Sequence, residues 1–191
     1  SITSSATAVK LNVTPVTSGD RYWRGDVNSS WSNLTGANWY NDAAGSTGAP
    51  AIPAAGETVF FSTVNASQTG GVISTTLDNN FTVNDLVFGS DPNGITSVIV
   101  AGGASPYGAP GILTITPSSP AEGLNVGANA GNVTISAPVV LGADQTWAAN
   151  GTGANGSTLA VTGPVSGTGD LSISGLVSLN SPSNTSTYNG T

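Results

Sequence analysis

Cysteine, histidine and methionine are absent from this sequence, and only three of its 191 residues are Lys or Arg. Each absence excludes something. Without cysteine, no disulfide holds the fold together. Without histidine or cysteine, the common transition-metal ligands and the common bases for a serine nucleophile are missing. Lys10, Arg21 and Arg24 cannot make a basic track and the net charge is −7, so nucleic acid and anionic lipid are poor partners. No apolar run approaches the roughly 20 residues of a membrane span, so membrane insertion is not expected. Residues 1–20 also lack the charged start and apolar centre of a signal peptide, and with Ser at position 1 the chain reads as a mature or excised segment.

Charge is scarce as well. Asp, Glu, Lys and Arg make up 7% of the chain, against about 25% in typical proteins. Solubility must come from hydroxyls and amides, and the Lys and Glu that usually blunt strand edges are few, so self-association is weakly opposed. The composition is typical of exported bacterial surface proteins, which places the chain outside the cell or on its surface. Only 38% of residues are hydrophobic, which suits a slender core repeated along an axis better than one thick core.

Helical periodicity is lacking, and Gly or Pro interrupts almost every ten residues, so the chain reads as all-β. From residue 72 onward short apolar-alternating runs follow one another: Val72–Leu77, Phe81–Phe88, Ile95–Val100, Ile112–Thr116, Leu124–Val126, Val133–Ser136, Val139–Leu141, Thr146–Trp147, Leu159–Thr162, Leu171–Ser174 and Val177–Leu179. A β-sandwich and a β-solenoid both fit that spacing. Lone Ala137 and lone Gly163 separate consecutive strands. A chain that bends by one residue and continues is winding, which favours the solenoid. Inward positions then include Leu86, Phe88, Val98, Val100, Leu113, Ile115, Val133, Ile135, Val139, Leu141, Leu159, Val161, Leu171, Ile173, Val177 and Leu179. Three regions are expected: an arm over residues 1–19, a Trp-rich cap over 20–71 and a solenoid over 72–191.

The cap holds Tyr22, Trp23, Trp31, Trp39 and Tyr40, with Phe60 and Phe61, the densest apolar content of the chain. These rings suit a plug over one end of a stack. Trp23, Trp31 and Trp39, with Tyr22, Tyr40, Tyr107 and Trp147, could instead form a stacking platform for sugar rings, which would make surface glycans a partner. In the arm, Val9, Leu11 and Val13 alternate with polar residues through Thr7–Val16, giving one apolar face that must find a sheet, its own or a neighbour's.

Other candidates are weaker. Arg24-Gly25-Asp26 is the tripeptide that integrins read at a loop tip. Asp78, Asp85 and Asp91, with Asn79, Asn80 and Asn93, offer oxygens for Ca²⁺, but no loop has calcium-loop spacing; turn capping is the simpler reading, and no cofactor is expected. Of the Asn-x-Ser/Thr sequons, Asn28, Asn33, Asn150 and Asn155 lie in loops where a glycan could attach. Glu57 and Glu122 are the two glutamates, and all basic residues fall in the first 24 positions. Neither a paired-carboxylate glycosidase nor a lyase is served by that distribution, so no enzyme is expected.

The segment NVTISAPVVLGADQTWAANG from Asn132, followed by STLAVTGPVSGTGDLSISG and LVSLNSPSNTSTYNGT, resembles the autotransporter-associated β-strand repeat proteins of Gram-negative bacteria. Trp23, Gly25, Trp31, Asn38-Trp39, Pro53, Gly56 and Val59-Phe60-Phe61 are similar to the Trp-rich opening of such proteins, and Val83–Phe88 to the strand after it. The resemblance leaves out residues 1–20. It implies a right-handed parallel β-helix exported to the cell surface or beyond. In the family the repeat continues past the counterpart of Tyr188–Thr191, and no membrane barrel follows here. The expectation is therefore an unfinished coil, and autotransport is not carried over from the resemblance. An open coil end is a template for another chain. The expected function is a structural subunit of a homopolymeric surface fibre, joined through Val9, Leu11, Val13 and Tyr188 by strand donation or head-to-tail stacking. The alternative is an adhesin or carbohydrate-binding module within a larger exported protein.

Overall fold

The computed structural model describes residues 19–33, 38–47, 51–63, 65–67, 70–89, 94–103, 109–151, 156–181 and 190, and the backbone of Thr187 and Tyr188. Among them there is no helix. The strands in chain order are β1 (Arg21–Trp23), β2 (Trp39–Tyr40), β3 (Thr58–Phe60), β4 (Val72–Leu77), β5 (Phe81–Val83), β6 (Asp85–Phe88), β7 (Ser97–Gly102), β8 (Leu113–Ile115) and β9 (Gly123–Val126). They continue with β10 (Asn132–Ile135), β11 (Val139–Leu141), β12 (Gln145–Ala149), β13 (Leu159–Val161), β14 (Val165–Gly167), β15 (Leu171–Gly175), β16 (Val177–Leu179) and β17 (Thr187–Tyr188).

Three sheets take these strands in rotation. The first runs β15-β12-β9-β6-β3-β1-β2, the second β16-β13-β10-β7-β4 and the third β17-β14-β11-β8-β5. From β4 onward the chain visits the second, third and first sheets in fixed order, and each circuit lays its strands on those of the circuit before. All pairings are parallel except β1 with β2. Parallel pairing from β3 onward rules out the alternative of a hairpin-built sandwich, whose neighbours run antiparallel.

The corners explain the rotation. Between β10 and β11 the chain passes Ser136, Ala137 and Pro138 and leaves the second sheet for the third. Gly163 makes the equivalent corner one circuit later, where an added Cβ would lie 2.0 Å from the Ala137 carbonyl oxygen. Only glycine lets the two corners stack so closely. The run Phe81–Phe88, expected to be one strand, is two. Asn84 turns the chain from the third sheet to the first, because its side chain accepts from the Ser118 N–H at 2.8 Å and donates to Asp85 at 2.9 Å.

Inward side chains form columns along the stack. One column passes Val59, Leu86, Leu124, Trp147 and Ile173; its neighbour passes Trp23, Phe61, Phe88, Val126, Ala149 and Gly175. Volumes complement each other within a circuit: Trp147 fills the space beside Ala149, and its indole N–H donates to Gln145 Oε1 at 2.8 Å inside the core. Gln145 donates in turn to the Ala143 carbonyl at 3.1 Å, so this buried polar pair is satisfied.

Candidate functional site

The two ends of the stack differ. At the first end β2 folds back antiparallel on β1, pairing Trp39 with Trp23 and Tyr40 with Tyr22. Beneath it the rings of Trp23, Trp31, Trp39, Phe61 and Phe81 meet edge-to-face or tilted, with centroids 4.9 to 6.4 Å apart. Trp39 donates its indole N–H to the Trp31 carbonyl at 2.9 Å. Fully buried Asn38 ties the cap loop: its Oδ1 accepts from the Val27 N–H, and its Nδ2 donates to Asn28 Oδ1 and the Ser30 carbonyl. The edge of β4 is covered as well, by a parallel bridge from Ser30 to Thr76. Burial also draws Arg21 onto Glu57 as an ion pair at 2.8 Å.

Trp23, Trp31 and Trp39 are 1%, 0% and 1% exposed. A sugar ring cannot stack on an indole with no face in solvent, so burial favours the plug over the alternative of a glycan platform for these three. The Arg24-Gly25-Asp26 triplet is held by contacts within the cap. Arg24 and Asp26 pair with each other at 2.9 Å, Arg24 lies over the Tyr40 ring at 5.0 Å, and the Tyr40 hydroxyl donates to Asp26 at 2.8 Å. Two groups that neutralise one another across the loop are not displayed at opposite ends of a tip.

The acidic candidates are occupied by the fold. Asp78 accepts from the Ser30 hydroxyl at 2.5 Å, and from the Ser32 hydroxyl and N–H at 2.6 and 3.1 Å. Asp85 accepts from Thr58 and Asn84 at another corner. Asp91 and Asn93 lie outside the described residues, and no cluster of metal-binding side chains occurs among the described ones. Glu57 faces Arg21, while Glu122 accepts from Ser118 and Asn84. Exposed Asn28 and Asn150 engage Ser30 and Asn125 respectively; Asn33 is half-buried, and Asn155 lies outside the described residues.

Burial pushes the Asp78 carboxyl upward, but the hydrogen bonds from Ser30 and Ser32 outweigh it and hold the group below the ordinary aspartate value. A depressed folded value stabilises the fold above the unfolded value of about 3.9, and this is lost as pH falls through the folded value. Acidification below about pH 4 is therefore expected to loosen the cap and red-shift emission from Trp31, which sits between Ser30 and Ser32. In Asp78→Ala the shift should be present at neutral pH and the acid step absent, as fluorescence titration checks.

The second end differs among the described residues. Four large apolar side chains are exposed among the described residues, and three lie on the last circuit: Ile173 at 48%, Leu176 at 52% and Leu179 at 47%. Their counterparts one circuit earlier, Trp147 and Val161 for Ile173 and Leu179, are 0% and 1% exposed. Leu171 and Val177 pack partly against the core beside them. The Tyr188 backbone in β17 reaches the same end through pairing with Gly167. Val9, Leu11 and Val13 lie outside the described residues. Leu176 was not singled out by periodicity, since it sits at the corner between β15 and β16; only its place on the last circuit marks it.

Compared with family models, curated proteins and solved structures, the chain matches none.

Proposed function

We propose that this chain is a right-handed parallel β-solenoid that serves as a structural subunit of a fibre outside the cell or on its surface, with the last coil as its assembly face. The observation that carries the reading is the contrast between the ends: one is closed by an antiparallel strand over buried indoles, the other presents Ile173, Leu176 and Leu179. The handedness follows the near-universal rule for parallel crossovers. The low-charge exterior supports an exported location. Buried tryptophans and engaged carboxylates weigh against a catalytic or adhesive reading of the same residues.

Covering three half-exposed aliphatic side chains contributes about 3 kcal/mol, whereas a micromolar complex needs about 8 kcal/mol. The balance must come from backbone hydrogen bonds and apolar side chains that the partner supplies. A second copy can supply both, and contact between unlike surfaces generates a filament.

The test is sedimentation velocity with negative-stain microscopy on the chain and on Ile173→Asp/Leu179→Asp. Linear, concentration-dependent assemblies are expected for the unaltered chain and monomers for the variant, with the same far-ultraviolet dichroism. A chain that stays monomeric throughout, or a variant that assembles unchanged, overturns the reading.

A further inference from the structure

We propose that Asn150 is a site of self-modification, in which the backbone nitrogen of Gly151 displaces ammonia from the Asn150 side chain and water opens the resulting succinimide to an aspartyl or isoaspartyl residue. The pair stands at the corner where the chain leaves β12 for β13. Asparagine is a thermally labile side chain. Closing the five-membered ring asks three things of the fold: a loosely held side-chain amide, a following N–H with no other partner, and no bulk on the following residue. All three meet at Asn150.

The Asn150 side chain is exposed, and its hydrogen bond from Nδ2 to Asn125 Oδ1 is 3.5 Å long, longer than an ordinary one. The N–H of Asn150 itself donates to the Val126 carbonyl at 2.8 Å. One residue on, the Gly151 N–H has no acceptor among the described residues. Asparagines elsewhere are guarded at this point. Ala66, Ala130 and Val133, which follow Asn65, Asn129 and Asn132, donate their N–H groups to the carbonyls of Thr63, Gly127 and Thr158 at 3.0, 3.2 and 2.8 Å, and each bond must break before the nitrogen can attack. Among the described asparagines only Asn150 precedes glycine. The corner imposes that glycine, since an added Cβ at Gly151 would lie 2.2 Å from the Ser157 nitrogen and 2.4 Å from its carbonyl oxygen. The fold itself thus sets the least bulky neighbour after the asparagine.

The step balances with water as its one co-reactant and no change of oxidation state. The bond from the Gly151 nitrogen to Asn150 Cγ forms, the Cγ–Nδ2 bond breaks, and Nδ2 leaves as ammonia with the proton of the Gly151 nitrogen. Water then cleaves one of the two C–N bonds of the ring. Cleavage at Cγ restores the ordinary backbone and leaves an aspartyl residue. Cleavage at the Asn150 carbonyl carbon routes the backbone through the side chain and makes it one atom longer, at a point where Gly151 already packs against Ser157. Either product adds a negative charge to a chain of net charge −7.

The test uses the full unaltered chain, so no variant has to fold. It is held in mildly alkaline buffer at 37 °C, once folded and once in guanidinium chloride, and each asparagine is followed by peptide mapping with fragmentation that separates aspartyl from isoaspartyl products. Both products are expected at position 150. Folding should slow their formation less than tenfold there, while it slows Asn65, Asn129 and Asn132 at least tenfold. Slowing of Asn150 by tenfold or more, as at those three, overturns the proposal, because the corner then protects the pair instead of exposing it. An aspartyl product with no isoaspartyl companion also overturns it, since water would then have attacked the side-chain amide directly and no ring would have formed.

Discussion

Replacing Trp147 by Ala is expected to lower the unfolding free energy by about 3–5 kcal/mol, the largest loss for any single change in the column it shares with Leu124 and Ile173. The indole is fully buried, and its column neighbours Leu124 and Ile173 are held in place by the parallel strands on either side. For a chain of this length each kcal/mol lowers Tm by about 2–4 °C, so a fall of roughly 10 °C should appear in a thermal melt followed by dichroism. Trp147→Phe separates the two components. The ring remains, but Gln145 Oε1 loses its donor in a dry interior, which costs about 1–3 kcal/mol. A Trp147→Phe variant as stable as the unaltered chain would show that Gln145 finds another partner.

The second large effect is expected at the ion pair under the cap. Arg21 and Glu57 are both buried and 2.8 Å apart, and removing either partner leaves the other charge uncompensated, at about 3–5 kcal/mol. Burial pushes Glu57 above the ordinary glutamate value despite the Ala54 N–H and Arg21, which favour its ionised form. A carboxyl with a raised folded value binds its proton more tightly folded than unfolded. Its favourable contribution is complete below the unfolded value of about 4.3 and is lost as pH rises through the folded value. Arg21→Ala removes a group that lowers Glu57, so the folded value should rise further, and the deficit of this variant should shrink on acidification as Glu57 takes up a proton. Glu57→Ala should show no such recovery, because the guanidinium cannot shed its charge. Urea unfolding of both variants at pH 4, 5.5 and 7 distinguishes them; parallel behaviour would mean that Glu57 is not the group responding.

Strand positions and the corners at Ala137 and Gly163 were legible in the sequence because a two-residue alternation records which face is inward; the corners proved three residues long rather than one, since Ser136 and Pro138 lie outside the strands. The split of Phe81–Phe88 was legible too, in a signal passed over. Apolar residues fall at 81 and 83, then at 86 and 88, and that slip in phase places a corner at Asn84. The pairing of Val98 with Val133 was not legible, because variable corner segments separate them and alternation carries no information about partners. The cap indoles could be read as core or as platform, since a tryptophan serves both; what decided it was β2 lying across them. Exposure of Ile173 and Leu179 was hidden for a different reason. Their alternation is that of any inward residue, and only their position at the edge of the stack leaves them wet.

The inward column that begins with Trp23, Phe61 and Phe88 and ends with Ala149 and Gly175 gives the stack a direction in time as well as in space. Each circuit leans on its immediate neighbours, and the aromatic rings gather in the layers at the capped end, so those layers are expected to fray last. Synthesis delivers that end first. A nascent chain can therefore anchor its aromatic layers first, each new layer condensing on a finished one.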